Sequence, residues 1–247
     1  MTLRDSFEKT GNLFFRYRGQ IPVIIFISLI PVMFFTNYSS HSTSIDKFLI
    51  FISILLAAIG FLIRVITIGT TPAGTSGRNT KSQIAEKLNT SGIYSIVRHP
   101  LYLGNYLMWA GLTLFVLNFW YLLTISLVFW IYYERIMFAE ECFLQRKYGH
   151  AFIEWAMKVP AFFPSFRHYI SPTLQFSFKS VLRREYSGML AIVFGFTFVD
   201  YLRYYLLNRN FLSIRPSLYF LIAALIIALV LRTIKHHTTW LDESDRT

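Results

Sequence analysis

The sequence contains little cysteine and few charged residues for its length. Cys142 is the only cysteine among 247 residues, which excludes an intrachain disulfide and a cysteine-based metal site. Charged residues make up 15% of the chain, with 13 acidic residues against 24 basic ones. The N-terminus lacks a short apolar stretch followed by a small-residue cleavage site, so we expect no signal peptide.

Most of the remaining residues are apolar, and they occur in long runs. Hydrophobic residues make up 54% of the chain and aromatic residues 18%. Because about 20 consecutive apolar residues cross a bilayer as a helix, we predict an all-α, polytopic membrane protein. We expect about six transmembrane helices with one tight helical hairpin at the centre. The predicted spans are 21–36, 47–66, two within 101–133, 188–207 and 216–232.

The position of the basic residues predicts an orientation in the membrane. A net charge of +11 would favour nucleic acid as the partner of a soluble protein. Here the basic residues lie beside apolar spans, where they contact anionic headgroups, so we predict no nucleic-acid partner, and nothing implies a protein partner. Basic loops are usually cytoplasmic, which predicts two cytoplasmic termini and a cytoplasmic active site. A basic group in a loop on the predicted opposite side fits this rule poorly: Arg203, Arg209 and Arg215.

The chain divides into three predicted regions. Residues 1–66 hold a basic N-terminal segment and two spans, and residues 1–20 fit an interfacial amphipathic helix or a mobile tail equally well. Residues 67–164 hold the hairpin and the candidate site. Residues 165–247 hold a basic amphipathic segment, two further spans and a tail. No metal site is predicted, because the adjacent histidines of the tail have no third ligand nearby.

The segment 92–104 places an arginine, a histidine and two tyrosines directly before a long apolar run. Gly92 permits a turn, and Pro100 suits the first turn of a helix, where its missing N–H would be unpaired anyway. Arg98 and His99 are therefore expected at a helix N-terminus, where free N–H groups and the helix dipole are positive. Polar groups held at the end of a membrane helix cost free energy, so their presence favours a functional role. The alternative is a loop whose Arg and Tyr side chains only anchor at the headgroups.

Two weaker signals flank this segment. The run 71–79 offers hydroxyl, amide and backbone N–H groups suited to an anion, but it matches no phosphate-loop spacing. The segment 134–149 contains the adjacent Glu140 and Glu141. Neighbouring residues of a helix do not face one partner, so we expect one glutamate to face a pocket and the other to face solvent. Taken alone, this segment also fits a charged juxtamembrane helix.

The two motifs are specific when they occur together. Gly-x-Tyr-x-x-Val-Arg-His-Pro-x-Tyr-x-Gly occupies 92–104, and Glu-Glu-x-x-Leu-x-x-x-Tyr-Gly occupies 140–149. Separated by a short helical hairpin, they resemble the isoprenylcysteine carboxyl methyltransferase and phospholipid methyltransferase superfamily. Those integral membrane enzymes use S-adenosyl-L-methionine. The resemblance covers residues 79–164.

The resemblance implies an S-adenosyl-L-methionine pocket in this region. In the family, the cofactor contacts the first motif, the loop before it and the first glutamate of the pair. The prenylcysteine enzymes also place a substrate-binding arginine four residues before that glutamate. Here that position is Ile136, and the nearest arginine is Arg135, which argues against a prenylcysteine carboxylate as the acceptor. The implied cofactor-binding residues are Lys87, Leu88, Asn89, Tyr94, His99, Pro100, Leu101, Tyr102 and Glu140.

These residues predict methyl transfer to a membrane lipid or lipid-like acceptor, most favourably at an anionic phosphate or carboxylate oxygen. Such an oxygen needs no general base, but it needs partial desolvation and a positive group to hold it. We predict Arg98 as that group, because a guanidinium stays charged and grips an oxyanion with two N–H groups. Arg135 is a second candidate. An amine acceptor would instead need a carboxylate such as Glu141 to take its proton.

Other functions remain open from the sequence. Steroid-reductase-like membrane enzymes, which reduce enones with NADPH, also carry an Arg-His-Pro-x-Tyr-x-Gly run. Glutamate usually follows that run, whereas this chain has Asn105. A phospholipid amine N-methyltransferase is a further alternative. A scaffold or transporter is the non-enzymatic one, and the internal repeats that would favour a transporter do not occur in the sequence.

Overall fold

Helices are the main secondary structure in the part of the chain that the structure describes. This computed structural model describes residues 2–40, 43–72, 83, 85–210 and 212–243. No strand occurs in those residues, which confirms the predicted all-α class. Three short 3-10 turns, Tyr38–Ser40, Gly92–Ser95 and Phe166–His168, connect the helices. The α-helices are α1 (Leu3–Arg16), α2 (Ile21–Phe35), α3 (Thr43–Thr70), α4 (Pro100–Phe115), α5 (Phe119–Tyr148), α6 (His150–Lys158), α7 (Phe178–Asn208) and α8 (Pro216–His237).

Within the described residues, four helices are long and apolar enough to cross a bilayer alone, namely α3, α5, α7 and α8. A fifth span is possible if α1 and α2, which meet at a bend of 78°, are taken together. The helix α4 has 16 residues, and at about 1.5 Å per residue it is shorter than the ~30 Å hydrocarbon layer. The prediction of about six membrane helices is therefore confirmed approximately.

The predicted hairpin is formed by α4 and α5. Three residues separate the two helices, and Leu117 reverses the chain with a φ of 61°, a conformation that is uncommon outside glycine. The side chain of Asn118 then caps α5 by accepting a hydrogen bond from the backbone N–H of Tyr121 at 3.0 Å. Its amide also donates to Thr36 Oγ1 at 2.9 Å, which attaches the turn to the end of α2.

The hairpin packs against α3 through small residues. A Cβ built on Gly104 of α4 would lie 2.7 Å from the carbonyl oxygen of Gly60 in α3. A Cβ on Gly111, two turns later in α4, would lie 2.5 Å from the carbonyl oxygen of Ser53. Small residues allow this close approach of helix backbones, and such packing is common between membrane helices.

A buried ion pair attaches α7 to this core. The guanidinium of Arg64 in α3 donates two hydrogen bonds of 2.8 Å to Glu185 in α7. A third, of 2.6 Å, goes to the side-chain oxygen of Asn105 in α4. Glu185 is only 3% exposed, so its charge is stable there because the bidentate arginine compensates it.

The N-terminal segment is an ordered helix and not a mobile tail. Thr2 and Asp5 form a reciprocal capping box at the start of α1, which satisfies two N–H groups that the helix leaves unpaired. The helix α1 packs against α5, where Tyr132 donates a hydrogen bond of 2.6 Å to the carbonyl oxygen of Phe14. Residues Leu3–Arg16 are therefore helical and the mobile-tail alternative is wrong, whereas the interfacial location of this helix stays a prediction.

Candidate functional site

A cavity opens where α4 begins and α5 ends. Its empty volume is about 950 Å³, including space that is open to solvent. Its walls come from the bend after α1, the loop before Gly92, the start of α4, the end of α5, and α6. The lining residues are Phe15, Arg18, Gln83, Ala85, Lys87, Leu88, Asn89, Tyr94, Arg98, His99, Pro100, Leu101, Tyr102, Glu140, Glu141, Phe143, Leu144, Phe152 and Trp155.

The first motif begins with a tight turn, as predicted. Gly92 has a φ of 60°, in the region that glycine enters without steric cost. Its N–H donates to the carbonyl oxygen of Ile170 at 2.8 Å. The hydroxyl of Ser95 donates to the carbonyl oxygen of Gly92 at 2.6 Å and accepts from the N–H of Ile170 at 2.9 Å. These bonds fix the turn against the segment that follows α6.

The segment after α6 also holds the Arg-His pair in place. The N–H of Arg98 donates to the carbonyl oxygen of Pro160 at 2.9 Å, and the N–H of His99 donates to that of Ala161 at 3.1 Å. Pro100 is the first residue of α4, as its geometry predicts. The backbone before α4 is therefore paired with the segment after α6, and the side chains of Arg98 and His99 contact α5.

His99 lies between the two glutamates of the second motif. Its Nδ1 is 3.5 Å from a carboxylate oxygen of Glu140, and its Nε2 is 3.0 Å from one of Glu141. Burial lowers the pKa of His99, but hydrogen bonds and charges from both glutamates outweigh this effect, and the pKa is raised above its usual 6.5. A doubly protonated ring donates to both carboxylates. The expectation that one glutamate faces solvent is thus wrong, because the two nitrogens of one imidazole reach both.

Glu140 and Tyr102 form the polar floor of the cavity. The Tyr102 hydroxyl donates a hydrogen bond of 2.7 Å to Glu140 Oε1, and the same oxygen is 3.9 Å from the guanidinium of Arg18. Tyr102 lies in the first turn of α4 and Glu140 near the end of α5. Their contact therefore joins the two sequence motifs across the base of the hairpin.

Arg98 uses most of its hydrogen-bonding capacity within the protein. Its Nε and Nη2 contact the carboxylate of Glu141 at 2.9 and 3.3 Å. Its Nη1 donates to the carbonyl oxygens of Ala156 and Val159, at 2.6 and 2.9 Å. Those carbonyls belong to the last turn of α6, which has no partners for them within the helix. Arg98 lines the cavity, but it also connects α4, α5 and α6.

Arg135 is placed away from the cavity. Its guanidinium carbon is 3.1 Å from the ring centroid of Phe7 in α1, and it does not line the cavity. Arg135 and Glu140 are five positions apart on one helix. At about 100° per residue this spacing directs the two side chains to faces roughly 140° apart.

All nine residues that the resemblance assigns to the cofactor line this one cavity. Lys87, Leu88 and Asn89 do so from the loop before the first motif, which Tyr148 holds through a hydrogen bond of 2.7 Å to the carbonyl oxygen of Ala85. Residues 73–79 of the polar run 71–79 lie outside the part of the chain that the structure describes.

Aromatic side chains form the opposite wall. The Trp155 indole donates to the carbonyl oxygen of Tyr94 at 3.0 Å, and its ring meets that of Phe152 edge to face. Burial raises the pKa of the Tyr94 phenol far above its usual value, and the charge of Glu140 raises it further. Tyr94 is therefore a neutral hydrogen-bonding and stacking group at physiological pH.

Several lining residues were not predicted as part of the site. Phe15 and Arg18 come from the N-terminal segment, where the mixture of aromatic and basic residues indicated an interfacial helix but gave no contact partner. Phe152 and Trp155 were visible only as aromatic residues after the second motif. The others are Gln83, Ala85, Phe143 and Leu144.

Comparison with known proteins identifies relatives of the central region. Residues 48–151 match the family model described as phospholipid methyltransferase. Protein-S-isoprenylcysteine O-methyltransferase of Schizosaccharomyces pombe is 32% identical over 95 residues, covering 36% of this chain and 40% of that protein. The probable protein-S-isoprenylcysteine O-methyltransferase of Oryza sativa subsp. japonica is 31% identical over 124 residues, covering 47% and 62%.

A relative with a different name also matches part of the chain. Cobalt-zinc-cadmium resistance protein CzcN of Cupriavidus metallidurans is 35% identical over 89 residues, covering 36% of this chain and 38% of that protein. The chain therefore spans between 38% and 62% of the length of these three relatives. No solved structure matches the chain significantly.

Proposed function

We propose that this chain belongs, through residues 48–151, to the isoprenylcysteine and phospholipid methyltransferase superfamily, and that it transfers a methyl group from S-adenosyl-L-methionine to a membrane lipid or lipid-like acceptor. One observation supports this proposal more strongly than any other. The nine residues that the resemblance assigns to the cofactor, in two separate motifs and in the loop before the first motif, line a single cavity. The contact between Tyr102 and Glu140 is the point at which those motifs meet.

The chemistry of the lining fits this cofactor. A carboxylate such as Glu140 accepts hydrogen bonds from nucleoside hydroxyls and is attractive to a sulfonium cation. Aromatic rings such as Tyr94 and Trp155 stack on an adenine and attract a cation through their faces. Lys87 and Asn89, at the rim of the cavity, offer donors to the cofactor's carboxylate. The bound cofactor supplies an activated methyl group, and the protein supplies alignment and exclusion of water.

The central polar residues act by positioning. Arg98 attaches the start of α4 to α5 and α6, and His99 sets the separation of Glu140 and Glu141. Glu141 is engaged by Arg98 and His99, which leaves it poorly placed to take a proton from an amine. This arrangement supports an acceptor that is already anionic, such as a phosphate or carboxylate oxygen, because that nucleophile needs no base.

We place the cavity on the cytoplasmic face, where the cofactor is available. Support comes from the basic residues that flank the spans on that side. The lipid acceptor would reach the cavity from the membrane side, between helices. Two separate entrances of this kind would keep the soluble cofactor and the apolar acceptor on different paths.

The proposal is tested by incubating purified protein with labelled S-adenosyl-L-methionine and total membrane lipid. The expected product, detected by mass spectrometry, is a lipid heavier by one CH₂ unit. Tyr102→Phe should weaken binding of S-adenosylhomocysteine, by about 2- to 10-fold for one lost hydrogen bond. The matched control is Tyr106→Phe, one turn further along α4, whose hydroxyl contacts Ser126 at 3.2 Å and does not line the cavity.

Binding measurements separate this function from the reductase alternative. The wild-type protein should bind S-adenosylhomocysteine and not NADPH. Binding of NADPH alone, with no methylated lipid formed, would overturn the proposal.

A further inference from the structure

The bend between α1 and α2 contributes to the cavity although it lies outside the residues matched to the family. The helix α1 ends at Arg16 and α2 begins at Ile21, and the two axes meet at 78°. Phe15 and Arg18 of this bend line the cavity beside the residues of both motifs. This part of the wall is therefore a feature of this chain and does not follow from the matched region.

The bend is held in place by specific contacts of α1 with α5. The backbone of Gly11 approaches Arg135 so closely that an added Cβ would lie 2.0 Å from its carbonyl oxygen. One turn before, Glu8 forms an ion pair of 2.5 Å with Arg146. One turn after, Phe15 is buried to 6% exposure. Contacts at three successive turns of α1 fix where its C-terminal end, and hence Arg18, is located.

Arg18 extends its guanidinium toward the polar floor. Its Nη1 is 3.5 Å from the hydroxyl of Tyr102 and 3.9 Å from Glu140. Its guanidinium carbon lies 4.1 Å above the ring of Phe15. The side chain is 19% exposed, so it is largely shielded from bulk water and still open to the cavity.

The position of Arg18 differs from that of the other cations near the site. Arg98 is bound to Glu141 and to two carbonyl oxygens, and Arg135 stacks on Phe7 outside the cavity. Lys87 lines the cavity from the loop before Gly92. Arg18 lies three residues before the apolar helix α2, and basic side chains beside membrane helices commonly meet headgroup phosphates.

We propose that Arg18 binds the anionic group of the methyl acceptor and so restricts the enzyme to lipid-like acceptors that carry a phosphate or carboxylate. This inference rests on the proposed function and names the acceptor class and the residue that recognises it. A guanidinium suits the task because it stays charged and presents two parallel N–H groups to an oxyanion. Glu140, which faces Arg18 before ligands bind, would then turn its hydrogen-bonding capacity to the cofactor.

The charge balance of the reaction supports this role. A lone pair of the acceptor oxygen attacks the methyl carbon, the new O–CH₃ bond forms, and the S–CH₃ bond breaks with its electron pair remaining on sulfur. The sulfonium becomes a neutral thioether, and the acceptor loses one negative charge. Because Arg18 attracts the acceptor through that charge, methylation weakens its hold and favours release of the product.

The inference is tested by binding and kinetics with single-chain probes of defined charge. Dodecyl phosphate, dodecanoate and dodecylamine are titrated into the wild-type protein saturated with S-adenosylhomocysteine, and then offered as acceptors with labelled S-adenosyl-L-methionine. The wild-type protein should bind at least one anionic probe and prefer it to the amine. Arg18→Gln should weaken that binding by on the order of tenfold or more, as expected for a lost charged hydrogen bond, and raise the KM for the probe to a similar extent.

Two further variants make the result specific. Arg16→Gln is the matched control, because Arg16 is exposed and lies only two residues away, and it should behave as the wild type does. Arg18→Lys keeps the charge without the two-pronged geometry and should show a smaller loss. It also provides the test if Arg18→Gln does not fold, as judged by thermal unfolding and S-adenosylhomocysteine affinity.

The outcomes are distinguishable. If the wild-type protein does not bind S-adenosylhomocysteine, the proposed function fails and this inference fails with it. If the wild-type protein binds S-adenosylhomocysteine but prefers dodecylamine or ignores all anionic probes, only the role of Arg18 is overturned. The same holds if the Arg18 variants change the KM for S-adenosyl-L-methionine and leave the affinity for the anionic probe unchanged.

Discussion

At the scale of single residues, the most consequential contact is the one between His99 and two adjacent glutamates. Glu140 and Glu141 lie next to each other on α5, and both approach the same imidazole, at 3.5 and 3.0 Å. The ring is 7% exposed, so little water screens these contacts. The arrangement stabilises a protonated histidine in a place where a neutral one would be the usual state.

This arrangement predicts how stability depends on pH. The folded-state pKa of His99 is raised above 6.5, so the folded protein keeps a proton that the unfolded chain has released. The resulting stabilisation is complete below about pH 6.5 and is lost as the pH rises through the folded-state pKa. Thermal unfolding in detergent, followed from pH 6 to pH 9, should therefore show a falling Tm that His99→Gln flattens.

His150 provides the control for that measurement. It is exposed at 83% beside Glu154, and His150→Gln should leave the slope of Tm against pH unchanged. An identical slope in wild type and His99→Gln would contradict the prediction.

The site residues were predictable from sequence to the extent that the motifs fix local geometry. Gly92 and Pro100 have conformational requirements of their own, so the turn and the helix start follow from residue type. The contacts of Arg98 do not follow from residue type. Its partners include the carbonyl oxygens of Ala156 and Val159, and backbone carbonyls carry no signature that distinguishes one residue from another.

At the scale of helices, the contact between α1 and α5 depends on a single small residue. Gly11 allows the backbones to meet, because a Cβ there would overlap the carbonyl oxygen of Arg135. Backbone cannot move aside as a flexible side chain does, so the helices must separate if that Cβ is added. The cavity wall formed by Phe15 and Arg18 would move with α1.

We therefore expect Gly11→Ala to lower both stability and acceptor binding. Overpacking of this kind typically costs about 1–3 kcal/mol, which thermal unfolding in detergent will register as a lower Tm. Gly19→Ala is the matched control, because a Cβ on Gly19 meets nothing within 4 Å. Equal Tm values for the two variants would show that α1 does not pack on α5 as described.

Helix type and approximate position were predictable for the long apolar segments, because composition alone determines them in a membrane. The hairpin followed from a run too long for one helix and too short for two full spans. The packing of α1 as an ordered helix against α5 was not predictable in the same way. Its amphipathic pattern is also typical of a surface helix, and its partner on α5 lies more than a hundred residues away in sequence.

At the scale of the whole molecule, contacts place α1 and the described part of the C-terminal tail on the side of the cavity. The helix α1 packs on the C-terminal half of α5. The C-terminal tail folds back onto the start of α7, where Ser180 donates a hydrogen bond of 2.9 Å to Glu243. The turn between α7 and α8 lies at the opposite end of these helices.

Labelling of single cysteines tests this topology and the proposed cytoplasmic face together. Cys142 is buried at 6% exposure and is first replaced by serine. In that background, Lys9→Cys and Thr239→Cys should react with a membrane-impermeant maleimide only from the cytoplasmic side. Asn210→Cys, in the turn between α7 and α8, should react only from the other side. Labelling of positions 9 and 239 from opposite sides would contradict the helix arrangement.

The close packing of Gly11 against the backbone of Arg135 has a consequence for biosynthesis. These residues are separated by 124 positions, the difference of their numbers. At roughly 5–20 residues per second of translation, the amphipathic α1 leaves the ribosome on the order of ten seconds before its docking surface exists. Its capping box favours the helix in that interval, and we expect its apolar face to bind the bilayer surface. The helix that later completes the wall of the cavity is thus expected to hold the nascent chain at the membrane.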